Sequence, residues 1–383
     1  MRHNPLKGWI VPALLLATLG STALAVGGEV GGIVAGATAE GRVQDDTLFG
    51  GGQDLVTVIS PEIGYQLRGP DLNASLRYDA DLYQYIGQSP ETNTNQRSYL
   101  HLKDRLGTAT TLAADGTLQY VTDPLALDRL GVPRTNSPVI FSSTALEGDE
   151  RLGKSWIAKL GYQFQLAHFE DPSLIDGSVH APWASIGYQL DAADELSLRE
   201  RYQLFLKIAS PSGSADTASL AWSHRIGSRL RTELEAGPIY YIDPTGAPAW
   251  TPYGVAGAIY RLRHGEVELR AGRDLVGATG FGTALWAEYV QAGVESRLGR
   301  RWTGRVGATY FVDGLAPAAV AAVSGYGGEA ALDFRPGRDW TVEAAVDRIG
   351  QTSAAPGTAA LDLGIEVVAM RLTYQWGSDK RLR

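Results

Sequence analysis

The chain has 383 residues, 42 acidic against 34 basic, with a formal charge of −8 and no cysteine. That charge argues against nucleic acid as a partner, because neutralising phosphate needs a basic surface. The missing cysteine removes disulfides, thiolate metal sites and a cysteine nucleophile together.

Residues 1–25 read as a secretory signal peptide. Arg2 and Lys7 give the positive start, Trp9 to Leu24 form an uncharged apolar run, and Ala23-Leu24-Ala25 is a small-x-small cleavage site, so the mature chain is predicted to begin at Val26. The run is shorter than the roughly 20 apolar residues of a comfortable membrane span. Removing Arg2 and Lys7 leaves 32 basic against 42 acidic residues, a formal charge of −10. No later run is long and apolar enough for a spanning helix, so a membrane location requires strands.

From residue 26 the dominant signal is period-two alternation, the mark of strands with one apolar face. The first predicted strands cover 28–43, 54–69 and 72–86. In the third, Leu72, Ala74, Leu76, Tyr78 and Ala80 alternate with Asn73, Ser75, Arg77 and Asp79. Strands at 97–107, 109–122 and 137–148 follow, then 154–170, where Trp156, Ala158, Leu160, Tyr162, Phe164 and Leu166 oppose Ser155, Lys159, Gln163 and Gln165. The next are 178–191, 194–209, 214–226 and 229–243, the last setting Leu230, Leu234, Ala236 and Tyr240 against Arg231, Glu233 and Glu235. The series ends with 250–262, 265–277, 282–297, 300–313, 322–335, 338–351 and 361–376. Short connections such as 69–71, 227–228 and 336–337 alternate with longer ones such as 44–53, 87–96, 123–136 and 352–360. That is the pattern of short periplasmic turns and longer outer loops.

The fold class is therefore all-β, an antiparallel transmembrane β-barrel over 26–376, with a short periplasmic tail at 377–383. Eighteen strands is the main count and sixteen the alternative, because Gly161-Tyr162-Gln163-Phe164 repeats a strand-end pattern inside a strand that runs the other way. Glu200 also conflicts: it falls on the apolar face, where a charge is unfavourable, and a bulge there or a misread register is expected rather than a functional carboxylate. Aromatics form a girdle. Trp302 and Tyr310 share one face, as do Tyr326 and Phe334, and eight residues of tilted strand span roughly 20 Å. Tyr65, Tyr188, Tyr260, Trp340, Tyr374 and Trp376 lie beside short turns, at a second belt.

The opposite face is charged. One predicted lumen wall carries His101, Lys103, Arg105, Lys159, Arg199, Arg201, Lys207 and Arg225, with Asp115 as its clear acid. The other carries Glu268, Asp274, Glu295, Glu329, Asp333, Glu343 and Asp347, with Arg270, Arg297 and Arg305 interspersed. Opposed walls set up a field that favours polar solutes, and pairing between neighbouring strands is the plainer alternative. Tyr83, Tyr85, Tyr99, Tyr241, Tyr253 and Tyr289 also point inward, where rings among polar groups suit sugars. No catalytic set emerges: Ser223 and His224 are neighbours in a strand and face opposite sides. No cofactor or resident metal is predicted; Asp45, Asp46 and Asp54 lack a ligand loop of known spacing.

The strand ends Gly64-Tyr65-Gln66-Leu67 and Gly187-Tyr188-Gln189-Leu190, the segment Leu118 to Pro124 and the closing Leu372-Thr373-Tyr374-Gln375-Trp376 resemble the outer-membrane β-barrel porin family of β-barrel porin 2 type. Members of that family resemble terminal conduits of myxobacterial polysaccharide secretion. The resemblance implies an outer-membrane, non-enzymatic channel for a secreted polysaccharide, with a periplasmic export protein as partner. A general diffusion porin for small polar solutes is the alternative, and a closed structural or adhesion barrel the third. Outer-membrane lipid and the barrel assembly machinery are the remaining expected partners; a plug from the 123–136 loop is a further expectation.

Overall fold

The computed structural model describes residues 30–46, 53–86, 92–122, 138–170, 172, 174–207, 210–277, 284–316, 320–353 and 361–377. The predicted signal peptide, the 123–136 plug and all of the tail beyond Gly377 lie outside them. Gly377 itself ends the last strand and pairs with Val34.

Eighteen strands form one sheet. They are β1 (Val30–Asp46), β2 (Gln53–Arg68), β3 (Leu72–Tyr85), β4 (Thr92–Leu106), β5 (Thr110–Val121), β6 (Val139–Arg151), β7 (Trp156–Phe169), β8 (Gly177–Gln189) and β9 (Asp194–Lys207). Continuing round are β10 (Ser210–Ile226), β11 (Leu230–Ile242), β12 (Pro248–Arg261), β13 (Gly265–Gly277), β14 (Ala284–Arg297), β15 (Trp302–Leu315), β16 (Val320–Phe334), β17 (Trp340–Ser353) and β18 (Leu361–Gly377). Every strand pairs antiparallel with its sequence neighbours, and β1 closes the ring on β18. At that closure Thr38 and Thr373 hydroxyls meet at 3.0 Å. The count is eighteen; Gly161-Tyr162-Gln163-Phe164 lies within β7 as an ordinary upward segment.

The alternation decides which side meets lipid. Leu55, Leu100, Leu160, Leu198, Leu220, Val306 and Met370 project outward and are exposed, as a membrane-facing band must be. Aromatic pairs rim it. Trp156 packs on Tyr188 at 4.8 Å between centroids, Trp302 on Phe334 at 4.6 Å and Trp340 on Tyr374 at 4.8 Å, all at the short-turn end. Tyr65, Tyr260 and Trp376 are exposed on the same outer face near that end. Toward the loop end Tyr310 faces Tyr326, and Tyr240 packs on Trp250 at 4.8 Å. The chain is thus a multi-pass outer-membrane β-barrel. Each strand satisfies its backbone through its neighbours, the arrangement that lipid permits.

Glu200 stays on the lipid face without a bulge, paired in register with Ala184 and Ala218. Asp216 of β10 lies on the same outer face, two residues along the strand from Glu200's partner Ala218. β4 begins at Thr92, earlier than the alternation suggests. Asn95 explains part of the extension: its Nδ2 donates to the Tyr83 hydroxyl at 2.9 Å, and its Oδ1 accepts from the Thr122 N–H at 2.7 Å. At the short β8–β9 turn, Asp191 accepts from the Ala193 and Asp194 N–H groups at 2.6 and 2.9 Å, which holds its carboxyl below the ordinary range.

Prolines interrupt the ladder where the missing N–H would point. In an antiparallel strand successive residues direct N–H and C=O to opposite neighbours. The β2–β3 register skips beside Pro61, the β8–β9 register beside Pro182 and the β10–β11 register beside Pro238. In β12, the Arg261 N–H bonds to Arg229 on the β11 side and the Leu262 N–H to Gly265 on the β13 side, so even-numbered residues face β13. Pro248 and Pro252 are even-numbered, and the β12–β13 ladder ends below them, at Gly254–Arg273.

Above that point β13 leaves the wall. Leu269, Val290 and Val294 mark the outer faces of β13 and β14, and by alternation Leu275 and Trp286 belong to those same faces. Yet Leu275 is 1% and Trp286 3% exposed, packed against Val179, Phe205, Ile239, Tyr241 and Tyr253 on the inner face of β8–β12. The upper edge of β13 has curled inside the barrel, and its outer face laps the inner face of the neighbouring wall. Two proline donors removed from the upright ladder forgo about 0.5–1.5 kcal/mol each. Burying Leu275 and Trp286 contributes up to about 1.5–3 kcal/mol apiece relative to water, less relative to the membrane interface. The missing donors weaken the upright alternative, and the Arg201–Asp274 pair and the Gln203 bond to the Leu275 carbonyl hold the lapped edge.

Candidate functional site: the charged bore

The inner face carries the charges. Lys103, Arg105, Lys159, Arg199, Arg201, Lys207 and Arg225 sit on inward positions of β4, β7, β9 and β10. Glu268, Asp274, Glu295, Glu329, Asp333, Glu343 and Asp347 sit on inward positions of β13, β14, β16 and β17. The expected contrast between a basic and an acidic wall does not survive as a contrast, because acids stand among the bases. Lys159 Nζ lies 4.0 Å from both Glu147 and Asp149, and Arg199 lies 3.3 Å from Glu235. Asp115 is therefore one of several inward acids on that side. Arg201 reaches across to the other wall and holds Asp274 through two hydrogen bonds, of 3.0 and 2.5 Å. Beside it Gln203 Nε2 donates to the Leu275 carbonyl at 3.2 Å. These contacts bolt the curled β13 edge to β9.

The open part of the bore lies on the opposite side, along β1–β4 and β13–β18. There a void of about 1040 Å³ is lined by eight carboxylates and five arginines. The carboxylates are Glu40, Glu62, Asp79, Asp81, Glu268, Glu329, Glu343 and Asp347; the arginines are Arg42, Arg77, Arg97, Arg305 and Arg371. A belt of alternating charge runs along this wall. Arg97 holds Asp79 at 3.2 Å and also Asp81, and Arg77 lies 3.4 Å from Asp79. Across the barrel closure Arg371 holds Glu40 at 2.5 Å and also Glu343. Arg305 bridges Glu343 and Asp333, the latter at 3.6 Å. Among the described residues, Glu62, Glu268 and Glu329 line the void and make no salt bridge.

The inward aromatics divide into two groups. Tyr83, Tyr85 and Tyr241 are 4%, 8% and 0% exposed. Tyr83 and Tyr85 pack with Val56 and Val58 at the loop end, and Tyr241 lies edge-on to Trp286. Tyr253 sits under Arg201, with the guanidinium 5.4 Å from the ring. Tyr99 lies under Arg77 at 4.2 Å and Tyr289 near Arg270 at 6.0 Å. Trp183, 5.0 Å from Arg199, fits because Gly161 faces it; a Cβ on Gly161 would fall inside the indole. The rings thus mostly stack on arginines or fill the loop end.

Sequence reasoning missed Glu40, Glu62, Asp79 and Asp81 as bore residues, although the polar alternation of β3 already marked Asp79. It also missed Tyr240 and Trp250 as a pair in the outer girdle. The outward His224 has a carboxylate partner, Asp194, at 2.7 Å, which also accepts from Trp222 Nε1 at 2.9 Å; Ser223 faces the other way. Among the described residues no group of three or more His, Asp and Glu side chains gathers as a metal site.

No family model matches the sequence, and no curated protein matches it. Among solved structures the chain is similar to OpdK of Pseudomonas aeruginosa in its structure with vanillate, at 10% identity over 91% of this chain and 98% of that one, TM-score 0.47. OccK9 (OpdG) of Pseudomonas aeruginosa shows 10% identity over 90% and 98%, TM-score 0.47, and OccAB4 of Acinetobacter baumannii 8% over 90% and 98%, TM-score 0.47.

Proposed function

We propose that the chain is a passive, non-enzymatic outer-membrane channel for small polar solutes, with a preference for cations. The observation that carries this reading is the void of about 1040 Å³, in which eight carboxylates outnumber five arginines. Three of those carboxylates are without a salt-bridge partner among the described residues. A low-dielectric wall focuses such a field along the bore and raises the local concentration of the opposite charge.

The polysaccharide reading rests on the family resemblance and takes Tyr83, Tyr85, Tyr241 and Tyr289 as sliding contacts for a polymer. Tyr85 and Tyr241 are buried away from the void, Tyr83 shows it only a small edge, and the curled β13 edge occupies the sector in front of β8–β12. Both features favour small solutes. The test is reconstitution into planar bilayers under a salt gradient. Cation-selective conductance is the expected result; a non-conducting protein, or an anion-selective one, overturns the proposal. Deletion in the source bacterium should leave surface polysaccharide unchanged, and its loss would restore the polymer reading.

A further inference from the structure

We infer that the lapped seam between β12 and β13 is the element that sets the size limit of the bore, and that Pro248 and Pro252 are the residues that keep it lapped. The inference rests on the channel reading above and names its size filter.

The seam has three components. First, β12 presents almost no backbone donors to β13 above Gly254. Even-numbered residues face that way, and of Pro248, Trp250 and Pro252 only Trp250 has an N–H to give. Second, the free edge of β13 finds substitutes inside the barrel. The Arg201–Asp274 pair and the Gln203 bond to the Leu275 carbonyl tie it to β9. Its tip residue Gly277 reaches β8, where Val179 would touch any added Cβ. Third, the split itself is closed by side chains. Arg273 donates to the Thr251 hydroxyl at 3.1 Å, pairs with Glu288 at 2.9 Å and lies 5.6 Å from the Trp286 ring.

The alternative state is available to the same chain. Continuing the Gly254–Arg273 register upward would set Tyr253 opposite Asp274 and Trp250 opposite Gly277. That zipped wall would withdraw Leu275 and Trp286 from the bore and open the sector in front of β8–β12. Pro252 denies that wall the donor opposite Leu275, and Pro248 denies the next donor above Trp250. Restoring the donors should therefore widen the channel.

The test uses the full-length protein in detergent and in bilayers. Pro248→Val together with Pro252→Val restores both donors. Asp274→Ala releases the edge from the opposite side, in case the first variant assembles poorly. Position is read by Val179→Cys with Gly277→Cys: an ideal Cβ on Gly277 stands 3.6 Å from the Val179 Cβ, within disulfide range, and the chain has no other cysteine. With the native prolines the pair should oxidise nearly completely. In the proline variant the yield should fall several-fold, while conductance rises about two-fold or more and larger solutes pass. Disulfide formed before the measurement should hold conductance at the native value until it is reduced. An unchanged cross-link yield in the proline variant overturns the seam; a lower yield with unchanged conductance overturns the filter. A native protein that conducts nothing removes the channel reading and the filter with it, whereas the cross-link still reports the seam.

Discussion

At the residue scale, three positions show how a side chain's neighbours decide its effect. Gly161 is required because the Trp183 ring occupies the space a Cβ would take. Gly161→Val should lower the thermal midpoint, read as heat-modifiable migration, and should release Trp183 from Arg199, read as a red-shifted tryptophan emission. Glu200 is the opposite case: a carboxyl on the lipid face, between Ala184 and Ala218, with Asp216 on the same face. A charge facing lipid is unfavourable, and two carboxyls on one stretch of that face repel when both are ionised. Glu200→Leu should therefore raise the urea midpoint of the barrel in lipid; a lowered midpoint would mean that this face is covered by protein. Inside, Glu62, Glu268 and Glu329 face the void without arginine partners among the described residues. Changing all three to glutamine should reduce cation selectivity strongly. Neutralising Glu343, clamped between Arg305 and Arg371, should instead destabilise the belt.

At the element scale the ladder is broken by prolines, and the side of each break follows from strand parity. On β12 this makes a sharp prediction for hydrogen exchange. Trp250 directs its N–H to the abandoned β13 side, while Thr251 and Tyr253 direct theirs to β11. The Trp250 amide should exchange faster than either neighbour by orders of magnitude, since protection follows the hydrogen bond. Equal protection of all three would mean that β13 returns to the wall. The aromatic pairs act at this scale too. Trp302–Phe334 and Trp340–Tyr374 join adjacent strands at the short-turn belt, where amphipathic rings anchor a barrel in the interface.

For the whole molecule, the decisive quantity is the net charge of the open sector rather than that of the chain. Exposed charges are screened over a Debye length of about 8 Å at physiological ionic strength. Cation preference should therefore be steep at low salt and fade toward molar salt. A preference that ignored ionic strength would point to a specific binding site instead of a field. Purified barrel should also migrate faster unheated than boiled in detergent gels, because the closed ladder resists unfolding until heated.

The sequence by itself determined the strand pattern and, for most side chains, the face each takes, while leaving the count between sixteen and eighteen. Period-two alternation against lipid leaves no freedom there: a one-residue slip would turn a whole strand's charges into the membrane. Even Glu200, which looked like an error of register, sat on the face the alternation gives it. The sequence also showed every proline, but not which neighbour each one would disappoint, since that depends on the pairing side. Only the tertiary structure joined Arg201 to Asp274, 73 residues apart, and brought Glu40 of the first strand to Arg371 of the last. Only it showed that Tyr83, Tyr85 and Tyr241 are buried and that the edge of β13 lies inside the bore. Alternation specifies in or out for a side chain; what meets it in the interior is settled by how the whole ring closes.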